Sequence, residues 1–313
     1  MTTFLIRRLL SGAALVLVVG SLTFLMIGMS GSDPVREILG ENATDEQVAQ
    51  RASELGLDRP LLVRYADWFI RAVQGDFGAS WVTNTDVTTM MAQRLPVSLS
   101  LVIASTLITA IVSAILGVFA GVRRGGLDRG VQVLAVVGYA LPNFWVGVML
   151  VSVFAISLRW LPATGYTPFF TDPRAWALGL ILPVTALAIG SIASTTQQVR
   201  AATVEVLDED FVRTLNARGL PPARIVVRHV LRNAAGPALT VLSLQFVGLL
   251  AGAVVIERVF ALPGLGSLVV SSAITGDLPV VLGVVLVMVV IVVIVNLLLD
   301  VLAGWLNPKV RVQ

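Results

Sequence analysis

Polar and apolar positions alternate along this chain in long blocks. A hydrocarbon core about 30 Å thick needs roughly 20 consecutive apolar residues in a helix. Six runs meet that length: about Leu9–Met29, Val97–Val122, Val131–Leu158, Trp176–Thr196, Pro237–Ile256 and Val280–Leu302. The pattern predicts an all-α membrane protein with six transmembrane helices. Pro142 and Pro183 fall inside the third and fourth runs. Kinks are permitted there, because neighbouring helices can re-satisfy the freed carbonyls. The first run follows Arg7-Arg8 and resembles a signal peptide in its basic start. Its apolar stretch exceeds the usual 7–15 residues and no A-x-A site follows, so it is read as a retained anchor.

Two polar intervals are too long to be turns. The first, 31–96, contains an amphipathic stretch at Thr44–Leu55, with Thr44 as N-cap, Gln47 at capping-box spacing and an end at Gly56. After Pro60, the spacing of Tyr65, Trp68, Phe69 and Val73 marks a second helix with one apolar stripe. The second interval, 200–236, reads as helix Ala201–Arg218, a break at Gly219-Leu220-Pro221-Pro222, and helix Ala223–Arg232. Gly219 suits the left-handed residue that ends a helix, and either proline suits the first turn of the next. The face of Phe211 and Leu215, with Thr214 and Arg218 one turn along, is expected to be exposed. A helix–glycine–helix elbow suits docking of a soluble partner; an ordinary amphipathic surface loop fits these features equally well.

Basic residues set the topology. With the N-terminus in the cytoplasm, Arg7, Arg8, Arg123, Arg124, Arg129, the arginines of 200–236, Lys309 and Arg311 lie inside, while the short outer loops hold Arg159, Arg174 and Arg258. Segment 31–95 carries more acids than bases, and loops of that length cross regardless of charge. The chain thus divides into residues 1–30 (N-terminal segment and first helix), 31–96 (external) and 97–313 (a five-helix core with the 200–236 loop), with both termini cytoplasmic.

Composition narrows the chemistry. The 313 residues are 56% hydrophobic and 13% charged, against about 25% charged in soluble domains. The net charge of +3 gives no case for nucleic acid. There is no Cys, so no disulfide or thiol chemistry. Lys309 is the single lysine and follows no glycine-rich turn, which argues against a Walker A loop. His229 is the single histidine, with no second His or Cys to share a metal, and is read as packing within the elbow.

The order of short motifs adds a resemblance. Asp210-Phe211-Val212-Arg213-Thr214-Leu215-Asn216-Ala217-Arg218-Gly219-Leu220, then His229-Val230-Leu231-Arg232, resembles the cytoplasmic "EAA" signature of dipeptide/oligopeptide ABC importer permeases. Leu215 stands where that family more often has Ala, and Arg218 where it often has Lys. Phe4 to Leu10, Gly31-Ser32-Asp33-Pro34, Leu55-Gly56-Leu57, Gly75-Asp76-Phe77-Gly78, Arg94-Leu95-Pro96, Glu257-Arg258-Val259-Phe260 and Pro263-Gly264-Leu265-Gly266 follow in the family's order. The long segment after the first helix is most similar to the first (B-type) of the two permeases in such systems.

The resemblance implies the type I ABC importer permease fold in a bacterial inner (plasma) membrane. It implies pairing with a second homologous permease around a path for a peptide substrate. One or two ABC ATPase subunits would hold ATP and Mg, leaving this chain without a cofactor or metal and not itself catalytic. An extracytoplasmic solute-binding protein would deliver the ligand. On this view Asp210, Phe211, Val212, Arg213, Thr214, Leu215, Ala217, Arg218, Gly219, Leu220, Arg224 and His229 couple to the ATPase. Glu257, Arg258, Phe260, Pro263, Gly264, Leu265 and Gly266 face the binding protein or ligand, with a plain surface turn as the alternative for the last four. Glutathione, nickel complexes and sugars are further solutes of the same family.

Smaller signals point to packing. Gly117-x3-Gly121 and Gly248-x3-Gly252 suit close helix approach, and Gln245 and Asn296 suit interhelical hydrogen bonds. Asp300 sits near the end of the sixth run, where pairing with a nearby base is the commoner role of such a charge. An ion-coupled carrier would want buried acids along several spans, an intramembrane serine protease a base beside its serine, and a non-transporting scaffold is a third rival.

Overall fold

The computed structural model describes the backbone of residues 2–29, 34–40 and 42–306. Gly31-Ser32-Asp33, Lys309 and Arg311 lie outside the described residues. The helices are α1 (Thr2–Met29), α2 (Pro34–Leu39), α3 (Asp45–Glu54), α4 (Leu61–Val73), α5 (Val87–Arg123), α6 (Gly126–Ala140), α7 (Asn143–Leu150, continued as a π-helical turn Val151–Ser157) and α8 (Pro173–Asp208). They continue with α9 (Asp210–Ala217), α10 (Pro222–Ile225, continued as a π-helical turn Val226–Val230), α11 (Leu231–Val259), α12 (Leu265–Ile274) and α13 (Leu278–Leu306). Among the described residues, five helices are long and apolar enough to cross a bilayer, and α6 with α7 makes a sixth if that bent pair is one span.

The third run is therefore a broken one: α6 and α7 meet at 96°. The cause is local. A residue before proline is driven out of the helical region, and Leu141 is extended (ψ 126°) before Pro142, which caps α7. Pro183 leaves α8 as one helix.

The chain forms two compact units: Met1–Leu5, Leu99–Leu262 and Ile294–Gln313 in one, Ile6–Ser98 and Pro263–Val293 in the other. In the first unit, α8 packs against α6, α7 and α11. Small residues let α5 approach α8 closely as well, as is usual between helices in lipid. A Cβ on Gly117 would lie 2.7 Å from Val199 Cβ and 2.8 Å from the Thr196 carbonyl oxygen, and one on Gly121 would lie 2.9 Å from Thr203 Cγ2.

In the second unit, Val87, Met91, Leu265, Leu268, Val280 and Val284 form a buried cluster. Asp277 ties the loop before α5 to the start of α13: its carboxylate accepts from the Ser80 hydroxyl at 2.5 Å and the Trp81 amide at 3.0 Å. The capping box at Thr44 and Gln47 is formed, and the chain leaves α3 through Gly56 at φ +67°. The segment after Pro60 is helical, and its Tyr65 and Trp68 rings pack on Phe24 of α1.

Candidate coupling site

Interval 200–236 forms an elbow, but its break differs from the one expected. α8 continues to Asp208, and a single extended residue, Glu209 (φ −68°, ψ 145°), ends α8 and caps α9. The expected helix 201–218 is thus two helices. No Pro or Gly marks that interruption, so helical periodicity alone did not expose it. The expected second helix begins at Pro222 and runs through the π-helical turn into α11 without a gap.

The exit from α9 is a Schellman turn. Gly219 N–H donates to Asn216 O at 2.9 Å, and Leu220 N–H donates to Leu215 O at 3.3 Å. Gly219 stands at φ +75°. That left-handed geometry strains any residue with a Cβ. Leu215 and Leu220 both pack beneath the turn on Val212, Ile225 and Val230, the apolar burial that accompanies this motif. Pro221 is extended and Pro222 opens α10 at its first position, where a missing N–H costs nothing.

A small core holds the elbow shut. Val212, Ile225 and Val230 are buried, with Val206, Leu207, Leu215 and Leu220 packed around them. Leu215, expected on the exposed face, lies partly buried instead, because Val212 and Leu215 at i, i+3 form the inward stripe. Phe211, at the stripe's edge, is 38% exposed. Thr214, Ala217 and Arg218 are exposed on the outer side, with Arg224 on α10. Asp210 and Arg213 form a 3.1 Å ion pair between two exposed side chains, a contact of small energetic weight. Asp210 in the first turn also suits the positive end of the helix dipole. His229 is partly buried in the π-helical turn, and its carbonyl accepts from Asn233 Nδ2 at 2.8 Å.

Sequence reading missed one strong polar contact in this unit. The Arg200 guanidinium on α8 grips Asp128 in the first turn of α6 through both carboxylate oxygens, with Nη2 to Oδ2 at 2.6 Å. Gln132 adds a third bond to the same carboxylate at 3.1 Å. The two residues are far apart in sequence, and no local motif links them.

The second signature divides between the units. In the first, Glu257 and Phe260 are buried and Arg258 is exposed. Gly165 N–H donates to Phe260 O, and Ala261 takes φ +50°. In the second, Pro263 is exposed, Gly264 caps α12, and Gly264, Leu265 and Gly266 are buried. The Ser98 hydroxyl accepts from the Leu265 amide at 2.8 Å, satisfying one free N–H at that helix start. The turn expected here leads into a ten-residue apolar helix.

Of the glycine pairs, Gly252 approaches Leu187 and Asn143, whereas nothing lies near a Cβ built on Gly248. Gln245 donates to the Ser194 hydroxyl at 3.0 Å, the interhelical bond expected of it. The buried Asn296 Oδ1 has no partner among the described residues. No group of three or more potential metal-ligating acids or His occurs among them either.

Long apolar helices, a proline-broken span and a helical elbow between two of the spans make this an all-α membrane protein. A chain from the inward-facing MetNI methionine ABC transporter superposes with TM-score 0.56 at 18% identity, covering 70% of this chain and 96% of that one. The family model "Binding-protein-dependent transport system inner membrane component" matches residues 113–312, and its N-terminal counterpart matches residues 1–102. The chain belongs to this family. It is 36% identical to the di/tripeptide transport system permease protein DppB of Pseudomonas aeruginosa, over the full length of both chains. It is 35% identical to the dipeptide transport system permease protein DppB of Bacillus subtilis, across 100% of this chain and 99% of that one.

Proposed function

We propose that this chain is the B-type permease of an ATP-driven importer of di- and oligopeptides. Similarity to peptide permeases over the whole chain supports the substrate class. The observation that carries the coupling role is the elbow: α9 is fixed at both ends and from beneath, yet presents Phe211, Thr214 and Arg218 outward. A short helix so held transmits a push as a rigid body, which alternating access by rocking requires. An ATPase subunit docks there and binds the ATP and Mg. Segment 31–96 and, in the 257–266 signature, the exposed Arg258 and Pro263 face the external binding protein, the termini are cytoplasmic, and a second permease completes the path.

The test is reconstitution of the full chain with its second permease and two ATPases in vesicles. Uptake of labelled dipeptide is expected to need both hydrolysable ATP and the binding protein. Transport by the permease alone, without nucleotide, would refute the reading. Uptake of glutathione or a nickel complex, but no peptide, would keep the importer and overturn the substrate.

A further inference from the structure

Helix α4, within segment 31–96, has three faces, and the proposed transport role gives none of them a small ligand. Tyr65, Trp68 and Phe69 turn toward α1: the Tyr65 hydroxyl bonds Ser21 at 2.5 Å, and a Cβ on Gly20 would touch Trp68 at 3.4 Å. A second stripe, Leu62, Ala66, Ile70 and Val73, lies at i, i+4, i+8 and i+11 and has no cover. Leu62 is 76% exposed, Ile70 57% and Val73 72%. The third face carries Arg64, Asp67 and Arg71. Beside it opens a cavity of about 260 Å³, lined among others by Phe24, Arg64, Trp68, Arg71, Phe77 and Leu282.

The contact with α1 fixes the depth of α4. The apolar span of α1 runs Ile6–Met26. Gly20, Ser21 and Phe24 are in its last turns, within about 9 Å of the end at 1.5 Å per residue. A helix bound there lies at the level where acyl chains meet headgroups, with an uncovered apolar stripe and an arginine face on one cylinder. That pairing is the mark of an interfacial helix.

The cavity has the polarity of an anion site. Asp67 is engaged by Arg59 at 2.6 Å, and Asp76 accepts from the Gly78 amide at 2.8 Å. Arg64 and Arg71 have no ion pair or side-chain hydrogen bond among the described residues. The buried Trp68 indole N–H has no acceptor. A buried donor without a partner is costly, and burial lowers the Arg64 guanidinium from its ordinary value. One phosphate group held between Arg64 and Arg71 would pair both guanidinium groups.

We propose that α4 is an interfacial helix whose Arg64 and Arg71 bind the phosphate of an anionic lipid in the leaflet reached by the C-terminal end of α1. The lipid's acyl chains lie along Leu62, Ile70 and Val73. The charge and the apolar stripe sit side by side, which suits a lipid better than a free anion.

The experiment is native mass spectrometry of the full chain, released from nanodiscs holding equal phosphatidylglycerol and phosphatidylcholine. Retained phosphatidylglycerol is expected to dominate and to survive millimolar inorganic phosphate. Arg64→Gln with Arg71→Gln should weaken retention about 30-fold, from the pull of two cations near a membrane surface. The Lys pair at the same positions should restore most of it. Equal retention of the two lipids by the wild type overturns the proposal, whether or not the variants fold. Displacement by inorganic phosphate marks a soluble-anion site and also overturns it. Wild-type lipid retention in the Gln pair overturns it as well. So does a Gln pair that loses capture of the binding protein but no lipid, which would assign the face to a protein.

Discussion

Gly219 offers a test in which sterics and backbone strain separate. Nothing lies within 4 Å of a Cβ built at this position, so no side chain clashes there. The penalty of substitution comes from φ +75° alone. Forcing a residue with a Cβ into that region costs about 1–2 kcal/mol, less for Asn, which visits it more readily, and most for a β-branched side chain. Gly219→Asn, Gly219→Ala and Gly219→Val should therefore form a graded series. The elbow core of Val212, Ile225 and Val230 resists the strain, but 1 kcal/mol shifts a local opening equilibrium by about fivefold and 2 kcal/mol by about thirtyfold. Because the strain sits in the proposed coupling segment, outside the spans, membrane insertion should be unchanged. The ratio of peptide transported to ATP hydrolysed should fall in the order Asn, Ala, Val. The assay is that ratio in proteoliposomes, with limited proteolysis at Arg218 reporting elbow opening. Equal ratios for all four proteins, or Asn worse than Val, would refute the reasoning. Gly219→Pro removes the N–H that bonds Asn216 and should uncouple most completely.

Three further outcomes are expected. Gly117→Ala, whose Cβ would meet Val199 and the Thr196 carbonyl, should destabilise the chain by about 1–3 kcal/mol, whereas Gly248→Ala should leave the melting temperature of the chain unchanged in detergent. Asp128→Asn leaves Arg200 without its anion and should lower the melting temperature; exchanging the two residues should recover part of the loss, and failure to recover any would deny the pair a stabilising role. Asp86 accepts from the Thr89 amide at 2.7 Å and its hydroxyl at 2.8 Å, bonds that hold its carboxyl below the usual value of 3.8. Its contribution is complete above pH 3.8 and lost as the pH falls through the depressed value, so Asp86→Asn should flatten the acid limb of the stability profile, and an unchanged limb would count against it.

Much of the architecture was legible because lipid imposes a simple rule: twenty apolar residues, then a break. Spans one, two, four, five and six follow it with shifted ends. The bend at Leu141-Pro142 was legible as a possibility, because proline forbids a local conformation, but its 96° amplitude depends on what packs around it. The capping box at Thr44 and the left-handed Gly219 were readable for the same reason, since their chemistry lies within four residues. Glu209 was not. An extended residue amid good helix formers is chosen by tertiary packing, here the burial of Val212 and Leu215 against Ile225 and Val230. The Asp128–Arg200 pair and the lone donors around Trp68 were likewise invisible, being contacts between separate helices.

Helix α8 has 36 residues, about 54 Å at 1.5 Å per residue, while a bilayer with its headgroups is about 40–45 Å thick. If Trp176 marks one edge of the hydrocarbon, the other edge falls near Thr195, and the helix continues about 20 Å further to Asp208. Headgroups occupy roughly the first 6 Å of that. The rest projects below the headgroups, packed on the ends of α5 and α6 through Thr203 and Arg200, and α9 follows at its tip. An ATPase docked on α9 as proposed would work at a standoff from the lipid, out of reach of the surface charge of the membrane, which fades within about 8 Å at physiological salt.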